Sequence, residues 1–267
     1  MMKPIDLFVV LPCYNEALNI EKVVDDFLLT YIGHKEVKLK FLLINDGSKD
    51  NTLDIVRKLE KVHEEIHVID HGVNMGLGSA VKTGIDYVLE TAKLEDLMMI
   101  LDSDHTHKAS YSLEMVDKAY TKRYDVVIAS RFYPGSKVYG VPFHRQLLSI
   151  FAKWYYTLLL NIPNVKDYTC GYRVCSFAVL TKLREEYGQK IVEETGFSCM
   201  VELLLKLNNV GANIGESTFE LYYGDKGGES SMQIFKTIRN SLKMPLKLRQ
   251  YKNSYKYNTG ILKEQES

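Results

Sequence analysis

Five short, mostly apolar runs stand in the first half of the chain, and polar or small residues close each one. They are Leu7 to Leu11, closed by Pro12; Phe41 to Ile44, by Asn45-Asp46-Gly47-Ser48; Ile66 to Asp70, by His71-Gly72; Leu97 to Leu101, by Asp102-Ser103-Asp104; and Val126 to Ala129, by Ser130-Arg131. Continuous rather than alternating runs belong to strands buried on both faces, which a parallel sheet requires. Helical patterns lie between them: Ile20, Val23, Val24 and Phe27 share one face, as do Leu53, Val56, Leu59 and Val62, the second set preceded by the cap-type residues Asp50-Asn51-Thr52. Strands alternating with helices make βαβ units, so the expected fold is α/β with a mostly parallel central sheet and helices on both faces. Ligands of such sheets sit outside the carboxyl ends of the strands. The five closing segments therefore face one site.

The second half is less regular. It holds an aromatic-rich helical segment at about 143–161, a polar loop from Asn164 to Arg173, shorter helical patterns near 177–186 and 198–208, and a strand-like stretch near Asn213 to Tyr222. A glycine-rich loop, Gly224-Asp225-Lys226-Gly227-Gly228, follows. We divide the chain into one domain over 1–231, with a donor half to about 131 and an acceptor half over about 132–231, and a basic amphipathic helical tail over 232–267. The 34 Lys+Arg and 34 Asp+Glu cancel overall, but residues 232–267 carry 8 against 2, which leaves 26 against 32 in the body. That balance excludes a globally basic nucleic-acid binder. In the tail Ile234, Phe235, Ile238, Leu242 and Leu246 recur at helical spacing, a pattern that suits an anionic membrane surface or docking on the domain. The four cysteines are dispersed, which suits a reducing compartment, and no run reaches the ~18 apolar residues of a membrane span.

Among the closing segments, Asp102-Ser103-Asp104 places two carboxylates at a strand end, where both can reach Mg²⁺ or Mn²⁺ and, through it, substrate phosphates. Two solvated turn aspartates are the plainer reading of these three residues alone. His107 is a further candidate ligand or phosphate contact. Tyr14 can stack on a base, and Glu16 and Asp46 can accept hydrogen bonds from base or ribose, although turn and cap chemistry also accounts for such residues. Gly76 and Gly78 allow close approach of backbone to a phosphate or to a neighbouring segment. Neither a dinucleotide fingerprint nor a Walker loop is present. Arg131, permanently charged at a strand end, suits phosphate recognition.

In chain order, Leu11-Pro12-Cys13-Tyr14-Asn15-Glu16, Ile44-Asn45-Asp46-Gly47-Ser48-Lys49-Asp50-Asn51-Thr52, Asn74-Met75-Gly76-Leu77-Gly78, Asp102-Ser103-Asp104 and Ser130-Arg131-Phe132 resemble a family 2 glycosyltransferase of the GT-A fold. Arg145 with Ser149, Asp167 to Arg173, and Gly228-Glu229-Ser230 resemble further segments of the dolichyl- or polyprenyl-phosphate sugar transferases. The resemblance spans roughly residues 5–235. It implies that Pro12, Tyr14, Glu16, Ile44, Asp46, Gly78, Ser103, Lys226 and Ser230 serve the donor, with Asp102 and Asp104 on the metal and diphosphate. It further implies that Arg131, Arg145, Ser149 and Arg173 serve the acceptor phosphate, and that Asp104, Arg131 and Asp167 form the catalytic set. Four positions depart from the subgroup: Thr106 replaces a common Gln, Asn45 the first of two adjacent aspartates, Ser231 a basic residue, and the late loop has Lys226 without the usual arginine.

The implied reaction is an inverting displacement on a nucleotide-diphosphate sugar with a Mg²⁺ or Mn²⁺ cofactor. A phosphate acceptor arrives ionised, whereas a hydroxyl acceptor needs a carboxylate base. Only Asp167, Glu193, Glu194 and Glu202 are placed to be considered for one. The expected partners are the donor and a lipid phosphate at a membrane surface, with room for a membrane-protein partner or a homodimer, and the expected place is the cytoplasmic face of the membrane. The competing readings are a soluble transferase to a glycan hydroxyl, a nucleotidyltransferase, for which residues 11–22 lack the glycines and arginine, and a non-catalytic binding module.

Overall fold

The computed structural model describes residues 4–121 and 123–225. Lys226, Ser230 and the basic tail lie outside these residues. A seven-stranded sheet runs in the order β3-β2-β1-β4-β7-β5-β8. Its strands are β1 (Ile5–Cys13), β2 (Val37–Asn45), β3 (Ile66–Asp70), β4 (Leu97–Ile100), β5 (Val126–Ala129), β7 (Arg173–Ser176) and β8 (Ile214–Ser217). All neighbours pair parallel except β7, which runs antiparallel to both β4 and β5. The helices are α1 (Ile20–Thr30), α2 (Thr52–Val62), α3 (Leu77–Thr91), α4 (Ser112–Tyr120), α5 (Phe143–Leu160), α6 (Phe177–Tyr187) and α7 (Cys199–Asn209). A small parallel pair, β6 (Lys137–Tyr139) with β9 (Glu220–Tyr222), stands apart from the main sheet.

Hydrophobic burial explains the sheet. The residues from Leu7 to Leu11, from Phe41 to Ile44 and from Val126 to Ala129 are all buried, as continuous runs require. Each such aliphatic side chain contributes roughly 1.5–3 kcal/mol relative to exposure. The expected face of α1 is buried throughout, whereas in α2 only Val56 and Leu59 of the expected four reach the buried core; Leu53 is partly buried and Val62 is exposed. Asp50 Oδ1 accepts the Thr52 N–H (3.0 Å) and thereby caps α2 from two residues upstream.

Two features depart from the sequence reading. The four-residue β7 falls between the expected loop and the expected helix, unannounced because Arg173-Val174-Cys175-Ser176 is too short to show a period. The stretch near 213–222 is two strands, β8 and β9, belonging to different sheets. Because β7 is reversed, its first residue lies beside the carboxyl ends of β4 and β5: Arg173 registers with both Ile100 and Ile128. The segment preceding β7 therefore reaches the same edge as the strand-closing motifs.

Candidate active site

The loops after β1 and β2 are knitted together. Asn15 adopts φ 58°, a left-handed conformation that Asn tolerates. Its N–H donates to Ser48 Oγ (3.0 Å), and its Oδ1 accepts the Lys49 N–H (2.8 Å). The Glu16 N–H donates to Thr52 Oγ1 (2.8 Å), and Glu16 Oε2 accepts from Asn19 Nδ2 (2.8 Å). Pro12, Tyr14 and Glu16 remain half-buried at this edge.

Asp46 is buried and holds the next loop in place. Its Oδ1 accepts the Met75 N–H (2.9 Å) and the His71 Nδ1–H (2.9 Å), and its Oδ2 accepts the Gly76 N–H (2.8 Å). His71 Nε2 lies 3.0 Å from the Thr83 hydroxyl. Asn45, where the subgroup has an aspartate, donates to Asp70 Oδ1 (2.7 Å). The polar strand ends thus order the loop over 71–76 that leads into α3.

The carboxylates after β4 are set by different means. His105 takes φ 62°, and the turn brings Thr106 back onto Asp104: Asp104 Oδ1 accepts the Thr106 hydroxyl (2.6 Å) and N–H (3.2 Å). Thr106, standing where the subgroup has Gln, fixes the second aspartate. Asp102 is half-buried with Gly171 against its carboxylate. Asp102 and Asp104 supply only oxygen donors, and among the described residues no group of three His, Cys, Asp or Glu side chains converges as a cage. Such a pair fits Mg²⁺ or Mn²⁺, which bind through one or two carboxylates and take their other ligands from substrate phosphates and water. His107, the further candidate, is buried beside the Tyr172 and Phe219 rings, and its Nδ1 has no hydrogen-bond partner.

On the other side of β4 stands a buried ion pair. Arg131 donates from Nε to Asp167 Oδ2 and from Nη2 to Asp167 Oδ1, both at 2.7 Å, and its backbone N–H adds a bond to Oδ2 (3.0 Å). Asp167 is 1 % exposed and also accepts the Thr169 and Cys170 N–H groups. Burial works to raise the Asp167 pKa, but the Arg131 guanidinium and the backbone donors outweigh it and hold the carboxyl below its ordinary value. Arg131 Nη1 reaches Ser149 Oγ on α5 (3.3 Å), and Nη2 reaches Thr169 Oγ1 (2.6 Å). Burial works to lower the Arg131 pKa, but the Asp167 carboxylate outweighs it and raises it above its ordinary value, with a smaller push from Asp102. Arg145 lies over the Tyr223 ring, 5.4 Å from its centroid.

Several expected roles are corrected by burial. Arg173 is fully buried and donates to the Cys170, Met200 and Tyr168 carbonyls (2.8, 2.7 and 2.9 Å), so it clamps the core rather than meeting an acceptor. Ile44 is fully buried in β2 and lies beneath the site rather than on its wall. The Gly78 N–H donates to the Thr195 carbonyl (3.0 Å), and a Cβ there would collide with the Glu194 carbonyl. Its close approach is therefore to backbone and not to a phosphate. The Ser103 hydroxyl is buried and donates to the Pro12 carbonyl (2.8 Å), a strut between the ends of β1 and β4. Three interactions escaped the sequence reading because their partners lie far apart in the chain: His71 on Asp46, Gly171 on Asp102, and Glu216 beneath Asp167.

The carboxylates considered as a base are engaged. Glu202 is buried; it accepts the Glu193 and Glu194 N–H groups and pairs with buried Lys206 (2.7 Å). Glu194 accepts from Ser198 (2.9 Å), and Glu193 lies 3.3 Å from Lys206. The family model described as glycosyl transferase family 2 matches residues 8–184. The chain belongs to glycosyl transferase family 2. A polyprenol monophosphomannose synthase of Mycolicibacterium smegmatis is 28 % identical over 209 residues, covering 78 % of this chain and 74 % of that one. An undecaprenyl-phosphate mannosyltransferase of Micrococcus luteus is 25 % identical over 207 residues, covering 78 % and 79 %. A glucosyl-3-phosphoglycerate synthase of Mycobacterium tuberculosis, solved with Mn²⁺, UDP-glucose and phosphoglyceric acid, superposes with a TM-score of 0.62 at 16 % identity, over 91 % of this chain and 79 % of that one. The fold of this family 2 member is accordingly the expected GT-A fold.

Proposed function

We propose that this family 2 glycosyltransferase moves a sugar, with inversion at the anomeric carbon, from a nucleotide-diphosphate sugar to a polyprenyl phosphate. The observation that carries this reading is the commitment of Asp167, Glu193, Glu194 and Glu202 to internal partners, beside an arginine held next to the carboxylate pair. A hydroxyl acceptor needs a positioned base, whereas a phosphate brings its own nucleophilic oxygen. The names of the two mannosyl-transferring relatives point the same way.

Each group then has a task. Tyr14 and Glu16 contact the nucleoside, in a loop that Asn15 and Thr52 tie to the segment after β2. Asp102 and Asp104 would hold Mg²⁺ or Mn²⁺, which when bound neutralises charge on the leaving diphosphate. Arg131, oriented by Asp167, and Ser149 receive the acceptor phosphate, with Arg145 at its approach. Pre-orienting these groups lowers the entropic cost of bringing donor and acceptor into line.

The acceptor is delivered from a membrane surface. On α5 the exposed residues Phe143, Leu147, Phe151, Trp154 and Leu158 form one stripe at helical spacing, and the helix carries Arg145 and Lys153 but no acidic residue. That composition suits insertion among headgroups of anionic lipid. No helix among the described residues is long and apolar enough to cross a membrane. Incubation with labelled UDP- and GDP-sugars, Mn²⁺ and undecaprenyl phosphate is expected to give a lipid-extractable, acid-labile product with one donor. Turnover on a glycan hydroxyl, with no lipid product from any donor, would refute the reading.

A further inference from the structure

Glu216 is buried on β8, an edge strand of the sheet, and no sequence motif singles it out. Its Oε1 accepts two consecutive backbone N–H groups, from Lys166 (2.7 Å) and Asp167 (2.8 Å). The Ser130 hydroxyl is a further hydrogen-bond partner of the same carboxylate. Asp167 in turn grips the Arg131 guanidinium at both oxygens. Ser130 immediately precedes Arg131, and Lys166-Asp167 carries the partner of Arg131. One carboxylate therefore touches both flanks of the ion pair, across 86 and 49–50 residues of chain.

We infer that Glu216 is a positioning residue for the acceptor-phosphate side of the site, acting on Arg131 through Asp167 and Ser130. The inference rests on the proposed role of Arg131 toward the acceptor. The geometry makes the coupling direct. Two N–H groups converging on one oxygen fix the peptide plane from which the Asp167 side chain departs, and so fix where its two oxygens sit. The third contact fixes the chain just before Arg131. Burial raises the Glu216 pKa, and the neighbouring negative charge of Asp167 adds to the rise. A packing residue at this place would have no need of an oxygen; the two backbone donors would be left unpaired without one.

The test is steady-state kinetics of the full chain with Mn²⁺, varying donor and undecaprenyl phosphate separately, for Glu216→Ala, Glu216→Gln and Glu216→Asp. Loss of the anchoring bonds in Glu216→Ala is expected to raise the acceptor KM on the order of 10-fold, with the donor KM changed less than about 2-fold. Glu216→Gln, whose amide oxygen accepts both N–H groups, is expected to restore the acceptor KM. Should Glu216→Ala not fold, Glu216→Asp, too short to reach both donors, reads the same effect. In an Arg131→Ala background Glu216→Ala is expected to add little, since coupled residues are non-additive. Equal changes in both KM values, full additivity with Arg131→Ala, or failure of Gln to rescue would each overturn the inference while leaving the proposed function standing. Absence of any lipid product from the wild-type chain would overturn both.

Discussion

Gly171 lies directly against Asp102: a Cβ built on Gly171 would stand 3.3 Å from the Asp102 carboxylate oxygen. The segment that feeds the reversed strand β7 thus braces the first of the two metal-type carboxylates. Gly171→Val is expected to push that carboxylate aside. Misplacement of a reacting group by about 1 Å costs on the order of 10²-fold in rate, so kcat should fall by about that factor, with circular dichroism unchanged. Wild-type turnover by Gly171→Val would show the contact to be incidental.

Asp104→Asn removes one of the two oxygen anions while keeping the side chain's shape and its contact to Thr106. A nucleoside diphosphate with Mn²⁺ is expected to raise the Tm of the wild-type chain, because a ligand that binds only the folded state stabilises it by mass action. The variant should lose most of that shift and keep its ligand-free Tm. An unchanged shift in differential scanning fluorimetry would remove Asp104 from the metal site.

Asp167→Ala removes the buried carboxylate and leaves the half-buried Arg131 without its ion-pair partner. Breaking such a pair costs about 3–5 kcal/mol, which for a domain of this size lowers Tm by on the order of 10 °C. The depressed Asp167 pKa sets the sign of the pH effect: stability from this pair is present above the ordinary carboxylate value of 3.8 and is lost as pH falls through the lower folded value. Thermal melts of wild type and variant should therefore converge only in strong acid. A constant Tm difference down to pH 2 would contradict this.

Glu216 titrates in the opposite sense. Its folded pKa is raised above 4.5 by burial, so ionising it near neutrality works against the fold, and stability is lost as pH rises through the folded value. Glu216→Gln is expected to melt higher than wild type at pH 7–8, with the gain vanishing at pH 4.5 and below. A gain independent of pH would mean that charge is not its source.

On α5, Trp154→Glu and Leu158→Glu alter side chains that are 65 % and 85 % exposed, so folding should be untouched. Both are expected to reduce co-sedimentation with vesicles containing anionic phosphatidylglycerol, while hydrolysis of the donor in solution is unchanged. Undiminished vesicle binding by the double variant would assign the stripe to another surface.

The strands could be read from the chain alone, because each is a run of consecutive residues: the runs closed by Pro12, Asn45 and Asp102 became β1, β2 and β4. Contacts between distant segments were less legible. Arg173 reads as an acceptor cation, yet it is buried on the first residue of a strand too short to announce itself. Gly78 reads as a phosphate-approach glycine, but the backbone it approaches is that of Glu194 and Thr195, more than a hundred residues on. Glu216 carries no local signal, since its meaning lies in two N–H groups 49 and 50 residues away. Periodicity and cap chemistry report neighbours in sequence, whereas these roles arise from contacts between segments far apart in the chain.

The Arg131–Asp167 pair closes a loop: 36 residues separate its members, and α5 with its exposed apolar stripe lies wholly between them. The neck of that loop is closed twice, by this pair and by β5 against β7 beneath it. The entropy of closing a loop grows only as the logarithm of its length, so the exposed turns of the excursion can vary in length, whereas β6 on β9 and the buried Tyr156 and Leu160 fasten the rest of it to the body. A graft of residues 132–166 from a relative, seated on the same neck, would have to carry these anchors with it.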